Sequence, residues 1–123
     1  MADQYAFVAT EAGVEDNEDC LVATLDSGGD AYVMFQRHCD FGSADDGGVY
    51  VEIGDQINAN YGCVESCSVS DSLFTLRLSS PLLGFHDIHA ELTVPESQLQ
   101  SFIAMLHCIF TGHESLLQIE TGP

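Results

Sequence analysis

The sequence predicts an α+β fold, in which an antiparallel sheet of about six to seven strands packs against one C-terminal amphipathic helix. Two observations lead to this prediction. Apolar and polar residues alternate in short segments separated by turn residues, as in half-buried strands, and after residue 94 the spacing changes to that of a helix. The 123 residues are 46% hydrophobic, which suits a single domain with one core.

The alternating segments predict strands with turns between them. Ser27-Gly28-Gly29-Asp30 predicts a tight turn that joins the second and third strands as a hairpin. Residues 15–19, 42–48 and 54–62 are polar and predict loops, and residues 79–85 predict a short helical turn. The predicted strands are residues 5–10, 20–25, 31–36, 49–53, 63–69, 73–78 and 86–94.

The helix is predicted for residues 95–110. Pro95 suits a first helical turn, and Gly112 suits the position after a last turn. The predicted sheet is the surface that covers the apolar stripe, and residues 113–123 are expected to be a loosely docked tail. The residues of the stripe are Leu99, Phe102, Ile103, Leu106, Ile109 and Phe110.

The charge of the chain excludes several classes of partner. Twenty acidic residues face only two basic ones, Arg37 and Arg77, and the net charge is −18. Two arginines cannot neutralise the phosphates of a nucleic acid or the surface of an anionic membrane. The charge favours a basic protein, a cation or simple solubility, and repulsion between copies favours a monomer in the unbound state.

The start of the chain has no basic region and no long apolar run, so we expect neither a secretory signal nor a membrane-spanning segment. The five cysteines are odd in number and irregularly spaced. We therefore expect reduced thiols and a cytoplasmic protein.

No motif for catalysis or cofactor binding is present, and we expect no enzyme activity, no cofactor and no metal site. His86 and His89 lie three residues apart in a predicted strand, so their side chains point to opposite faces. Cys63 and Cys67 share a face and have acidic surroundings, which favours a packing role over a nucleophilic one. Two alternatives remain open: a small metal- or ligand-binding protein, and an acidic module adapted to a high-salt cytosol.

Residues 54–65 contain the most distinctive motif, D-Q-x-N-x-x-Y-G-x-V-E, and the strand at 73–78 follows it. This arrangement resembles the immunity protein 10 family of bacterial polymorphic toxin systems, over about residues 49–110. Cys63 stands where we expect glycine in that family, and Glu96 is the only acidic residue of the helix. The matching positions in the motif are Asp55, Gln56, Asn58, Tyr61, Gly62, Val64 and Glu65.

The resemblance implies a protein that binds and neutralises a toxin domain in a bacterium, without catalysis. The acidic charge adds the expectation that this toxin domain is basic, as a nuclease would be. Charge density and the motif together predict a partner-binding surface formed by Glu15, Asp16, Glu18, Asp19, Asp45, Asp46, Asp55, Gln56, Asn58 and Tyr61.

Overall fold

The computed structural model describes residues 4–16, 20–38 and 48–120. Within these ranges the chain forms ten strands, one α-helix and one short 3-10 helix. The helices are α1 (Glu96–Ile109) and the 3-10 helix (Glu114–Leu116). The strands are β1 (Gln4–Ala9), β2 (Glu11–Asp16), β3 (Cys20–Asp26), β4 (Tyr32–His38), β5 (Tyr50–Ile53), β6 (Asp55–Tyr61), β7 (Val64–Ser70), β8 (Leu73–Leu82), β9 (Phe85–Leu92) and β10 (Leu117–Glu120).

The strands of the described residues form two sheets, and the prediction of a single sheet is wrong. Sheet one has the order β1-β9-β8-β7-β10, and sheet two has the order β2-β3-β4-β5-β6. In sheet one, β1 pairs with β9 and β10 pairs with β7 in parallel, so the prediction of a purely antiparallel sheet is also wrong. Only Thr10 separates β1 from β2, and local alternation cannot show that the chain changes sheets there.

The two sheets bury their inner faces against each other and against the helix. The rings of Phe35 in β4 and Phe74 in β8 meet with centroids 5.9 Å apart. Phe102 of α1 contacts Phe74 at 6.2 Å, and Phe110, just after α1, contacts Phe35 at 5.9 Å. The helix therefore completes a core shared by both sheets, rather than covering one sheet alone.

The predicted helix is confirmed, with bounds Glu96–Ile109 inside the predicted residues 95–110. Four residues of its apolar stripe are buried: Leu99, Phe102, Leu106 and Ile109. The side-chain oxygen of Gln98 accepts a hydrogen bond of 3.0 Å from the backbone N–H of Ala12. Ala12 lies in β2, so the helix covers part of that edge of sheet two.

Arg37 links the carboxyl end of α1 to sheet two through hydrogen bonds. It follows Val33 and Phe35 on the inner face of β4 and is 4% exposed. Its guanidinium donates hydrogen bonds of 2.7 and 2.9 Å to the carbonyls of Ile109 and Thr111. A cation is favourable here because the end of a helix presents unpaired carbonyls and partial negative charge.

Three segments predicted as loops or tail contain edge strands. Glu15 and Asp16 belong to β2, residues 55–61 form β6, and β10 lies in the predicted tail. Edge strands bury less of their surface, so they tolerate the polar residues that favoured a loop. The predicted helical turn at 79–85 is also wrong, because β8 continues to Leu82 and β9 begins at Phe85.

Candidate partner-binding surface

The outer face of sheet two is the side of β2 to β6 that points away from the core. Strand register arranges its residues in three rows that run across the strands. The middle row is Gly13, Thr24, Met34, Glu52 and Ala59. On one side of it lie Glu11, Asp26 and Tyr32, and on the other side lie Glu15, Val22, Gln36, Tyr50 and Tyr61.

Four residues of the middle row line a depression, which we call the trough: Gly13, Thr24, Met34 and Glu52. Gly13 and Thr24 have small side chains, whereas Glu11, Glu15 and Gln36 in the neighbouring rows have longer ones. Two hollows, of about 430 and 510 Å³, lie on this face, and both are lined by Thr24 and Met34. Because both touch these residues, the hollows are neighbours, and together they extend across β2 to β5.

Glu52 lies in the middle of β5 and lines the larger hollow. It is only 5% exposed, although it is on the outer side of the sheet. The hydroxyl of Tyr50 donates a hydrogen bond of 2.8 Å to one carboxylate oxygen, and the hydroxyl of Tyr32 donates to the other. These bonds offset part of the large cost of burying a carboxylate.

Tyr50 is held on both sides. Its ring contacts that of Tyr61 with centroids 5.1 Å apart, while its hydroxyl is bound to Glu52. Burial, the hydrogen bond to Glu52 and the charges of Glu52 and Tyr61 raise the pKa of Tyr50 to about 12. The hydroxyl of Tyr50 therefore stays protonated at neutral pH and remains a donor to the carboxylate.

The charge of this face is negative and is not balanced by an arginine. Glu11, Glu15, Asp26 and Glu52 line the trough. The two arginines of the chain lie elsewhere, Arg37 on the inner face of β4 and Arg77 on sheet one. The trough therefore presents carboxylates together with tyrosine rings, which suits a cationic group.

The outer face of sheet one differs. Arg77 of β8 lies 3.4 Å from the carboxylate of Asp87 and 3.7 Å from that of Glu65. A shallow hollow of about 390 Å³ lies beside β1, where Val8 and Leu73 are 44% and 42% exposed. This face has mixed charge, and Asp87 and Glu65 already have Arg77 as a cationic neighbour.

The structure brings two of the predicted site residues onto the outer face of sheet two. Glu15 and Tyr61 lie in the same cross-strand row, although β2 and β6 are opposite edges of the sheet. Asp16 is exposed at the end of β2, and Asn58 is half-buried in β6. Asp55 and Gln56 belong to the backbone of β6. The remaining predicted residues lie outside the described ranges: Glu18, Asp19, Asp45 and Asp46.

The trough itself was missed by sequence reasoning. The alternation that places Val49, Val51 and Ile53 inward also places Tyr50 and Glu52 outward, and this was the available signal. That Tyr32 reaches the same carboxylate depends on the pairing of β4 with β5. Such a long-range register cannot be read from one strand.

Other candidate chemistry finds little support in the described residues. Burial raises the pKa of the thiols of Cys63 and Cys67, which opposes formation of the nucleophilic thiolate. In the described ranges, no group of three or more His, Cys, Asp or Glu residues is arranged to hold a metal ion. In the same part of the chain, no helix has the length and apolar character needed to cross a membrane.

The comparison with protein families matches this chain to immunity protein 10 over residues 8–100. The matched region includes all of sheet two and the motif at residues 55–65, and the chain belongs to this family. The comparisons with curated proteins and with solved structures find no match.

Proposed function

We propose that the protein is an immunity-type inhibitor that binds and neutralises a cognate bacterial toxin domain in the cytoplasm, without catalysis of its own. The observation that carries this proposal is the family match over residues 8–100. Membership of an immunity family supports a cognate toxin as the partner. The mechanism is then occlusion, in which the bound inhibitor covers the surface that the toxin needs for its activity.

The charge of the chain supports a basic toxin domain, such as a nuclease with a cationic substrate site. A net charge of −18 attracts such a domain over a distance and accelerates association. We expect the association rate to fall steeply as salt concentration rises, because ions screen this attraction. A rate that is insensitive to salt would contradict a basic partner while leaving the family assignment intact.

The surface that we propose for binding includes the predicted residues on the outer face of sheet two. Glu15 is exposed, and Tyr61 is 59% exposed and rests against Tyr50. Exposed tyrosines beside carboxylates are typical of interface residues, since a tyrosine ring offers contact area and a hydrogen-bonding group. Neutralising Glu15 and Asp16 together should slow association and leave folding intact.

The test is capture followed by neutralisation. The purified protein is used at low salt to capture partners from the bacterium that encodes it, and bound proteins are released by raising the salt concentration. Each captured protein is then expressed in a test strain with and without this chain. One basic protein that stops growth alone, and is harmless when co-expressed in equal amount, would support the proposal.

The competing hypothesis of an acidic module predicts different results. A smear of unrelated basic proteins, none of them toxic, would show that capture depends on charge alone. A module adapted to a high-salt cytosol should also lose structure in dilute buffer, because its acidic residues repel each other without screening. Cooperative thermal unfolding in dilute buffer would therefore favour the inhibitor.

A further inference from the structure

The trough combines carboxylates, a hollow and fixed tyrosine rings on one open sheet face. Resting on the function proposed above, we propose that the trough holds the basic partner. In this arrangement an arginine side chain of the partner lies over Glu52 and beside Tyr32 and Tyr50.

Among the described residues, this face is open to a partner because the core lies on the other side of the sheet. Phe35 and Arg37 of β4 point towards α1, whereas Met34 and Gln36 of the same strand point outward. In the described ranges, α1 packs against β2, β3 and β4 from the inner side, where its apolar stripe is buried. The outer side of sheet two is thus the unpartnered one in this part of the chain.

The arrangement of charge calls for a cation. Glu11 lies directly opposite Asp26 in the pairing of β2 with β3. Like charges in such a position destabilise a sheet, and a bound cation would relieve their repulsion. For the same reason a second copy of this chain is a poor occupant, since it would bring a face of the same sign against the trough.

Glu52 retains the capacity to bind a guanidinium. An ionised carboxylate has about four acceptor positions, and the hydroxyls of Tyr32 and Tyr50 occupy one on each oxygen. A planar guanidinium has donors spaced to match a carboxylate, and it also stacks on aromatic rings. An arginine can therefore contact both the carboxylate and the tyrosine rings, whereas the compact ammonium of lysine interacts mainly with the negative charge.

The tyrosines are fixed before binding. The Tyr50 hydroxyl is held by Glu52 and its ring contacts the Tyr61 ring, and the Tyr32 hydroxyl is also held by Glu52. Ordering a side chain in advance lowers the entropic cost of association. Glu52 is accordingly a positioning residue for both rings as well as a contact for the arginine.

The decisive experiment measures the dissociation constant of the toxin domain recovered by neutralisation. Glu52→Gln and Tyr50→Phe alter the trough, while Glu91→Gln and Tyr5→Phe make the same chemical changes on sheet one. We expect each trough variant to bind about 30-fold more weakly, as for a central interface residue. Each control should stay within about twofold of the original protein, because it lies away from the interface.

A direct probe locates the cation without the toxin. The unmodified protein is titrated with N-acetyl-arginine amide, and with the matching lysine amide, while backbone amide resonances are recorded. We expect shifts concentrated at Thr24, Met34 and Glu52, larger for arginine than for lysine and absent in Glu52→Gln. Shifts spread evenly over both sheets, or equal for the two probes, would overturn the assignment of an arginine to the trough.

The results separate this inference from the proposed function. If the unmodified protein neutralises its toxin and the trough variants bind as well as the controls, the trough is not the interface although the function stands. If the unmodified protein neutralises no toxin, the proposed function is wrong. The titration alone then tests whether the trough binds an arginine side chain. Thermal unfolding checks each variant; should Glu52→Gln unfold, Tyr50→Phe and the exposed Glu15→Gln test the same face.

Discussion

The outer faces of the two sheets follow the same alternation of strands but differ in how their charge is balanced. Each sheet contains one of the two arginines. In sheet one, Arg77 points outward and lies beside Glu65 and Asp87. In sheet two, Arg37 points inward and binds the carbonyls at the end of α1. The outer face of sheet two consequently has carboxylates and tyrosines with no arginine beside them.

This difference in charge balance shows that moving a residue by one position along a strand places its side chain on the other face of the sheet, and so changes what each face can bind. Arg37 lies on the same inner side of β4 as Val33 and Phe35. Its charge therefore stabilises the fold and does not contribute to the outer surface. Had the arginine stood at the position of Gln36, it would have faced the trough, because Gln36 lines the neighbouring hollow. The negative potential of the trough therefore depends on register as much as on the number of acidic residues.

The largest expected effect tests where the two arginines act. Arg37→Met should lower the free energy of unfolding by about 2–3 kcal/mol, because it leaves helix-end carbonyls without their donor. Arg77→Met should cost less than about 1 kcal/mol, because the side chain is 57% exposed and solvent screens its ion pairs. Urea denaturation of both variants measures the difference. Equal losses in the free energy of unfolding for the two variants would contradict a stabilising role of the buried Arg37 side chain.

A smaller effect tests the tyrosine hydroxyl in the trough. The pKa of Tyr50 is raised to about 12 in the folded protein, from an ordinary value of 10.0. The folded state keeps this proton while the unfolded state loses it, so the stabilisation is complete below pH 10 and is lost between about pH 10 and 12. Over that window Tyr50→Phe should lose stability less steeply than the original protein.

The ultraviolet absorbance of tyrosinate provides a second measurement of the same prediction. Tyr50 should ionise in a late step near pH 12, and Tyr50→Phe should remove its contribution to that step. Tyr5→Phe serves as the control, because Tyr5 lies in β1 and its ring contacts Phe7 and Phe85. A late step of unchanged amplitude in Tyr50→Phe would contradict the raised pKa of Tyr50.

The smallest effect has opposite signs on the two faces. Glu11→Gln should stabilise the protein by about 0.3 kcal/mol at low salt, because it removes repulsion from Asp26 across the strands. Asp87→Asn should destabilise it by a similar amount, because Arg77 loses a partner at 3.4 Å. Thermal unfolding at low and high salt measures both, and both effects should shrink in high salt. Equal signs would remove the distinction between the faces.

Local structure was predictable from the sequence where burial imposes a clear period. The helix and the strands at 31–36 and 49–53 were found because their inner residues, such as Phe35 and Val51, must alternate with outer ones. The edge strands β2 and β6 were taken for loops because they carry polar residues on exposed positions. The division into two sheets depends on pairing between distant segments, which no local pattern reports.

The candidate site was predicted only in its general character. The sequence predicted Glu15 and Tyr61 as partner-binding residues in loops, and both lie on the outer face of sheet two. Glu52 was overlooked because a glutamate in an apolar strand is normally exposed and uninformative, whereas here it is 5% exposed and accepts hydrogen bonds from two hydroxyls. Its place beside Tyr32 follows from the pairing of β4 with β5.

The parallel pairing of β1 with β9 sets the order in which the chain can fold. Residues 4–9 find their partners at residues 87–92, so the first strand waits until most of the chain has been synthesised. Sheet two has no such requirement, because β2 to β6 pair in sequence order and their loops close over short distances. During translation, the strands of the sheet that carries the trough can therefore pair before sheet one has all of its strands.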